Sequence, residues 1–166
     1  MSGEMRIFAA IIQQKDTKHH NNMKTIGCLQ LSDDGKTLVN CTDKNVTTVV
    51  IPSSVTKIGD WAFDGCTSLT AVEIPSSVTE IGWGAFCRCT SLTMVEIPNS
   101  VTKIGNCAFL HCSSLASVEI PGSVTEIGKK AFRKCNSLKQ IIVDKDGADE
   151  KFRGKLGGAI QKMVHI

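Results

Sequence analysis

Eight cysteines and four histidines in 166 residues are the side chains best suited to metal binding or nucleophilic chemistry, and spacing divides them. Cys66, Cys89, Cys112 and Cys135 recur every 23 residues. Stacked layers would hold equivalent atoms ~4.8 Å apart, inside the Cα range of a disulfide. Identical side chains in adjacent layers point the same way, however, which is poor geometry for a sulfur–sulfur bond. A free cysteine also packs as a small hydrophobe, so this column reads as buried, reduced thiols. Cys87, Cys107 and His111 break the period. Cys107 and His111 stand four apart in a segment read as helical, where they would share a face, with Cys87 on the same outer surface of the preceding layer. Sulfur with imidazole is a zinc-like set, but a fourth ligand and a CxxC are missing, so these residues read as exposed substitutions and no metal is expected. Cys28 and Cys41 flank a hairpin-like stretch and are placed to pair if the protein is secreted; no pairing is assigned.

Other polar groups carry less. Asp144, Asp146 and Asp149 sit like the first ligands of a calcium loop, but the twelfth position is Lys155 rather than Glu. His19-His20 lies in a polar stretch and reads as solvated. Asn40-Cys41-Thr42 and Asn45-Val46-Thr47 have the form of glycosylation acceptors without an evident secretory route. No Ser/His or His/carboxylate constellation is present, so no catalytic residue and no cofactor are expected.

The elements that must position these residues come from one repeat. Units of 23 residues begin at Ile51, Ile74, Ile97 and Ile120, and share the skeleton IPxSVTxIGxxAFxxCxSL. All four prolines, Pro52, Pro75, Pro98 and Pro121, occupy its second position. Val72-Glu73-Ile74 alternates apolar and polar, the period of a half-buried strand, and the proline after it ends ladder pairing. Val78 to Ile81 is a second extended piece, closed at Gly82 by a tight turn. A short helical or 3₁₀ stretch follows, carrying Ala85, Phe86 and Cys89. Ile, Val, Ile, Ala, Phe, Cys, Leu and Val of each unit are placed inside. One turn cannot bury such a face, but stacked turns share a continuous core.

The flanks read as covers over the open ends. Residues 28–50 hold two alternating runs around Asp34-Gly35, a hairpin signal, then a degenerate rung in which Val46 and Val49 take the Leu and Val columns. Residues 28–143 are thus one repeat domain, with four full repeats over 51–142. Residues 144–166 place Phe152, Leu156, Ile160 and Met163 on one stripe and read as a C-terminal capping helix. Residues 1–27 form an N-terminal extension whose Arg6–Ile12 run lacks the features of a signal peptide and is read as mobile or as an extra strand. Net charge of +3 is too mild to imply a nucleic-acid partner, and 5% aromatics with no Tyr argue against a base-stacking platform. No apolar run approaches the ~18 residues of a membrane span.

The pattern IPxSVTxIGxxAFxxCxSLxxVE, with its 23-residue period and the lead-in LSDDGKTLV, closely resembles the BspA-like (Treponema-type) leucine-rich repeat family over about residues 28–142. The resemblance implies a short α/β repeat fold: a right-handed leucine-rich-repeat solenoid with a parallel β-sheet on the concave face and short helical or 3₁₀ turns on the convex side. It also implies a surface or secreted protein that takes part in adhesion and protein binding, with no catalytic motif to carry over.

Two charge columns then differ in meaning. Lys57, Glu80, Lys103 and Glu126 alternate in sign, so neighbouring rungs pair opposite charges, each pair worth ~0.2–1 kcal/mol. With the adjacent Thr56, Thr79, Thr102 and Thr125, they read as register control. Glu73, Glu96 and Glu119 instead stack like charges, at a cost of roughly 1 kcal/mol per pair. Beside them the copies vary: Ala71, Met94, Ser117 and Gln140, with Ile142 at the end of the Glu column. Variation on an outward face of a constant frame is where solenoids place recognition. The expected function is a non-enzymatic, adhesin-like or scaffold module, favoured as a monomer, that meets a protein with a basic surface through Ala71, Glu73, Met94, Glu96, Ser117, Glu119, Gln140 and Ile142. The alternative is a spacer, or a fragment of a longer array, with no ligand of its own.

Overall fold

The computed structural model describes residues 16–18, 24–143 and 163–165. They form a β-solenoid of about five turns, each 23-residue unit supplying two short strands. In one sheet, β1 (Asp16–Lys18), β2 (Lys24–Ile26), β3 (Leu29–Leu31) and β4 (Thr37–Cys41) run antiparallel in succession. From β4 the same sheet continues in parallel through β6 (Lys57–Ile58), β8 (Glu80–Ile81), β10 (Lys103–Ile104) and β12 (Glu126–Ile127). On the other side β5 (Thr48–Val50) pairs with β7 (Ala71–Glu73). There β9 (Met94–Glu96), β11 (Ser117–Ile120), β13 (Gln140–Val143) and β14 (Met163–His165) form a second parallel ladder.

The repeat sets the register: Lys57, Glu80, Lys103 and Glu126 lie directly opposite one another. Their Nζ–Oε distances are 3.3 Å for Lys57–Glu80, 3.8 Å for Lys103–Glu80 and 3.9 Å for Lys103–Glu126. The repeated serine and threonine add a second tie. Ser77, Ser100 and Ser123 donate to the carbonyls of Val55, Val78 and Val101 one rung back, and Thr79, Thr102 and Thr125 donate to the preceding threonine carbonyl. A slip of one residue would turn the valine column outward and break both ties.

The columns assigned inward are buried through the stack, and among the described residues no polar or charged residue is. Phe63, Phe86, Phe109 and Phe132 form a near-parallel ladder with centroids 5.0, 5.2 and 5.2 Å apart. Among the described residues of these columns, Leu138 in the last full unit and Val46 in the degenerate rung are left partly buried.

The turns differ from the short helical or 3₁₀ stretches expected: among the described residues there is no helix. Alternate amides explain why. The N–H groups of Trp61, Phe63 and Gly65 donate to the carbonyls of Trp83, Ala85 and Cys87 in the next rung, while those of Asp64 and Cys66 bond three residues back. Half the donors that a helix would need are thus spent between rungs. The 61/84/107/130 and 65/88/111/134 columns also sit at positive φ, between 56° and 72°, which no continuing helix allows. Gly59, Gly82 and Gly105 open the tight turn expected, their carbonyls accepting from the Ala62, Ala85 and Ala108 N–H groups, and the missing Cβ of this column serves a second purpose. A Cβ on Gly105 would lie 2.6 Å from the Gly82 carbonyl carbon, and one on Gly128 would lie 2.2 Å from the Asn106 nitrogen. These glycines let successive backbones approach.

At the C-terminal end, the segment expected as a capping helix lies outside the described residues except for Met163–His165. Those three form strand β14 beside β13, so Met163 belongs to a sheet and not to a helical stripe. Of the N-terminal extension, residues 16–18 and 24–26 are strands β1 and β2, and the Arg6–Ile12 run lies outside the described residues.

Candidate binding face

Strand alternation decides which side chains the second sheet presents. Val72, Val95, Val118 and Ile141 point into the core, so their neighbours point out. Met94, Glu96, Ser117 and Glu119 are exposed, Met94 by 59%, while Ala71, Glu73, Gln140 and Ile142 are half-buried. Register sets Met94 opposite Ser117 opposite Gln140, and Glu96 opposite Glu119 opposite Ile142. A shallow open cleft of about 410 Å³ gathers five of these residues: Met94, Glu96, Ser117, Glu119 and Ile142. Ala71, Glu73 and Gln140 lie outside its lining.

The cleft also takes in Pro98, Asn99 and Pro121, which sequence reasoning left out. One signal was available: the third position of the unit varies, as Ser53, Ser76, Asn99 and Gly122. The electrostatics contrast with the first sheet. There every carboxylate of the charge column has a lysine beside it; Glu73, Glu96 and Glu119 form no ion pair among the described residues.

Three thiols of the column, Cys89, Cys112 and Cys135, are held protonated by burial, whereas the contact with Cys41 lowers the Cys66 thiol. The Sγ–H groups of Cys89, Cys112 and Cys135 each donate, at 3.1 Å, to the carbonyls of Phe63, Phe86 and Phe109. Burial pushes the Cys89 thiol up to about 12 and that of Cys135 to about 11. Cys87 is buried, and its burial raises it to about 11. Cys107 and His111 sit in a turn at positive φ, not on a shared helical face, and among the described residues no group of three His, Cys, Asp or Glu is placed to hold a metal. Both tryptophans, Trp61 and Trp83, are exposed at one turn edge with centroids 5.5 Å apart. Gly84 makes room for this, since a Cβ there would lie 2.4 Å from the Trp61 ring.

This geometry, a solenoid of copied rungs with an outward-facing parallel sheet, defines a leucine-rich-repeat protein. The model of the BspA-type leucine-rich repeat region matches residues 39–149 in six copies, and the chain belongs to that family. The Treponema pallidum leucine-rich repeat protein is 28% identical, with a TM-score of 0.61 over 91% of this chain and 81% of that one. A leucine-rich repeat protein from Bacteroides capillosus is 29% identical, with a TM-score of 0.62 over 78% of this chain and 99% of that one. A leucine-rich cell surface protein from Faecalibacterium prausnitzii is 26% identical, with a TM-score of 0.59 over 81% of this chain; the chain spans 41% of its length. No curated protein matches the chain. Proteins of this family are generally interaction or surface proteins, and no catalytic family is indicated.

Proposed function

We propose that this chain is a non-enzymatic protein-binding module of adhesin or scaffold type. It engages a partner with a basic surface through the outward face of β7, β9, β11 and β13. The observation that carries this reading is the cleft at β9 and β11, where an exposed methionine meets two in-register carboxylates that form no ion pair among the described residues. Stacked like charges cost stability in the free protein, and a cationic partner surface would relieve that cost. Met94 supplies an adaptable apolar contact beside them.

The test is a pull-down with mass spectrometry, comparing wild type with the triple variant Glu73→Lys/Glu96→Lys/Glu119→Lys after circular dichroism has established that both fold. A protein enriched by wild type and lost with the variant supports the module and names its partner. If both baits return the same background, the chain acts as a spacer, a reading favoured by the near-identity of its four copies.

A further inference from the structure

Cys28 and Cys41 meet at the start of the stack, where Cys41 also contacts Cys66, the first thiol of the buried column. Cys28 precedes β3 and Cys41 ends β4, so antiparallel pairing of these strands brings together residues 13 apart in sequence. The backbone holds them there: the Thr42 N–H and hydroxyl both donate to the Cys28 carbonyl, at 2.8 and 3.2 Å. The two Sγ atoms lie 3.5 Å apart, which leaves about 1.5 Å to close to a sulfur–sulfur bond. Access is also provided. Cys28 is half-buried and lines an open cleft of about 350 Å³ with Ile26, Leu29, Val46 and Val49, whereas Cys41 lies wholly inside the core.

From this geometry we infer that Cys28 and Cys41 are a disulfide-forming pair that staples the N-terminal hairpin to itself, while the buried column stays reduced. The oxidant is a small disulfide such as oxidised glutathione. The Cys28 thiolate attacks it through the cleft, releasing one glutathione thiolate and leaving a mixed disulfide. Cys41 Sγ then attacks Cys28 Sγ, its proton passing to the departing glutathione sulfur, and the second glutathione leaves as a thiol. Two protein thiols are oxidised and one glutathione disulfide is reduced to two thiols. The contact with Cys41 and then burial push the Cys28 thiol above the usual cysteine range, so thiolate is scarce at neutral pH and closure is slow. The pair is a staple for sustained oxidising conditions, not a fast sensor. Its effect falls on the strands that cover the first rung: a closed loop of this size removes unfolded-state freedom and raises the melting temperature.

The experiment incubates the full chain with oxidised glutathione, blocks remaining thiols, digests with trypsin and reads the peptides by mass spectrometry. Cleavage after Lys24, Lys36 and Lys44 places Cys28 on Thr25–Lys36 and Cys41 on Thr37–Lys44. The expected product is these two peptides joined and separable by reductant, with a melting temperature about 5–10 °C above that of the reduced protein. Cys41→Ser should abolish the rise and trap Cys28 as the glutathione mixed disulfide. Should Cys41→Ser fail to fold, Cys28→Ser serves: it should fold, show no rise and carry no glutathione at Cys41. A persistent mixed disulfide at Cys28 of wild type, a bond from Cys28 to Cys66 or to a second molecule, or eight thiols still free after oxidation would overturn the assignment.

Discussion

Replacing Phe109 by alanine removes a ring that is fully buried and sits between Phe86 and Phe132, 5.2 Å from each. Lost transfer energy and the residual cavity together cost ~3–5 kcal/mol for a buried phenylalanine. Two stacked contacts, each worth ~0.5–1.5 kcal/mol beyond area, put this site in the upper part of that range. The backbone leaves little room for relaxation, because the amides of Phe109 and His111 are bonded to the next rung and that of Cys107 is as well. At ~2–4 °C per kcal/mol for a chain of this size, the melting temperature should fall by about 10–15 °C. The assay is a thermal melt by circular dichroism, with Phe132→Ala measured alongside. Phe132 has one ring neighbour among the described residues, so its loss should cost about 1 kcal/mol less. A Phe109→Ala protein melting within ~2 °C of wild type would refute the inward assignment of the column. Phe132→Ala proving the more damaging of the two would refute the ladder argument.

Lys103→Glu would line up carboxylates at 80, 103 and 126, turning two attractive contacts into repulsive ones. Because these groups are partly exposed, the expected loss is ~1 kcal/mol, seen as a fall of a few degrees in melting temperature at low salt that shrinks in 1 M salt. Lys130 holds φ of 60°, where glycine is at ease, so Lys130→Gly should raise the melting temperature slightly, whereas Gly128→Ala should lower it sharply because its Cβ meets backbone. Cys89 and Cys135 have folded-state values above the unfolded 9.0. Their contribution is therefore complete below pH 9 and is lost as pH rises toward 11–12, visible as a melting temperature that is flat from pH 7 to 8.5 and falls beyond it. In native protein these thiols should resist a thiol reagent at pH 8 and react only after denaturant is added.

The period, the inward columns and the charge pairing were legible in the residues because every unit meets the same neighbour 23 positions away. A local pattern repeated at fixed spacing specifies its own long-range contacts, so Lys57, Glu80, Lys103 and Glu126 could be paired on paper. The outward position of Met94, Glu96, Ser117 and Glu119 followed from strand alternation in the same way. Tertiary structure alone decided what each turn became. Ala-Phe-x-x-Cys has helical local preference, yet the next rung offers carbonyls to alternate amides, and Trp61, Arg88, Cys107, His111, Lys130 and Lys134 take left-handed conformations that their side chains do not favour. The gathering of five face residues into one cleft, the backbone contact behind the glycine column and the meeting of Cys28 with Cys41 also depended on distances between chain segments. Composition and spacing encode which residue belongs in which column; the separation between columns is set by how closely backbones can stack, and only the folded chain contains that quantity.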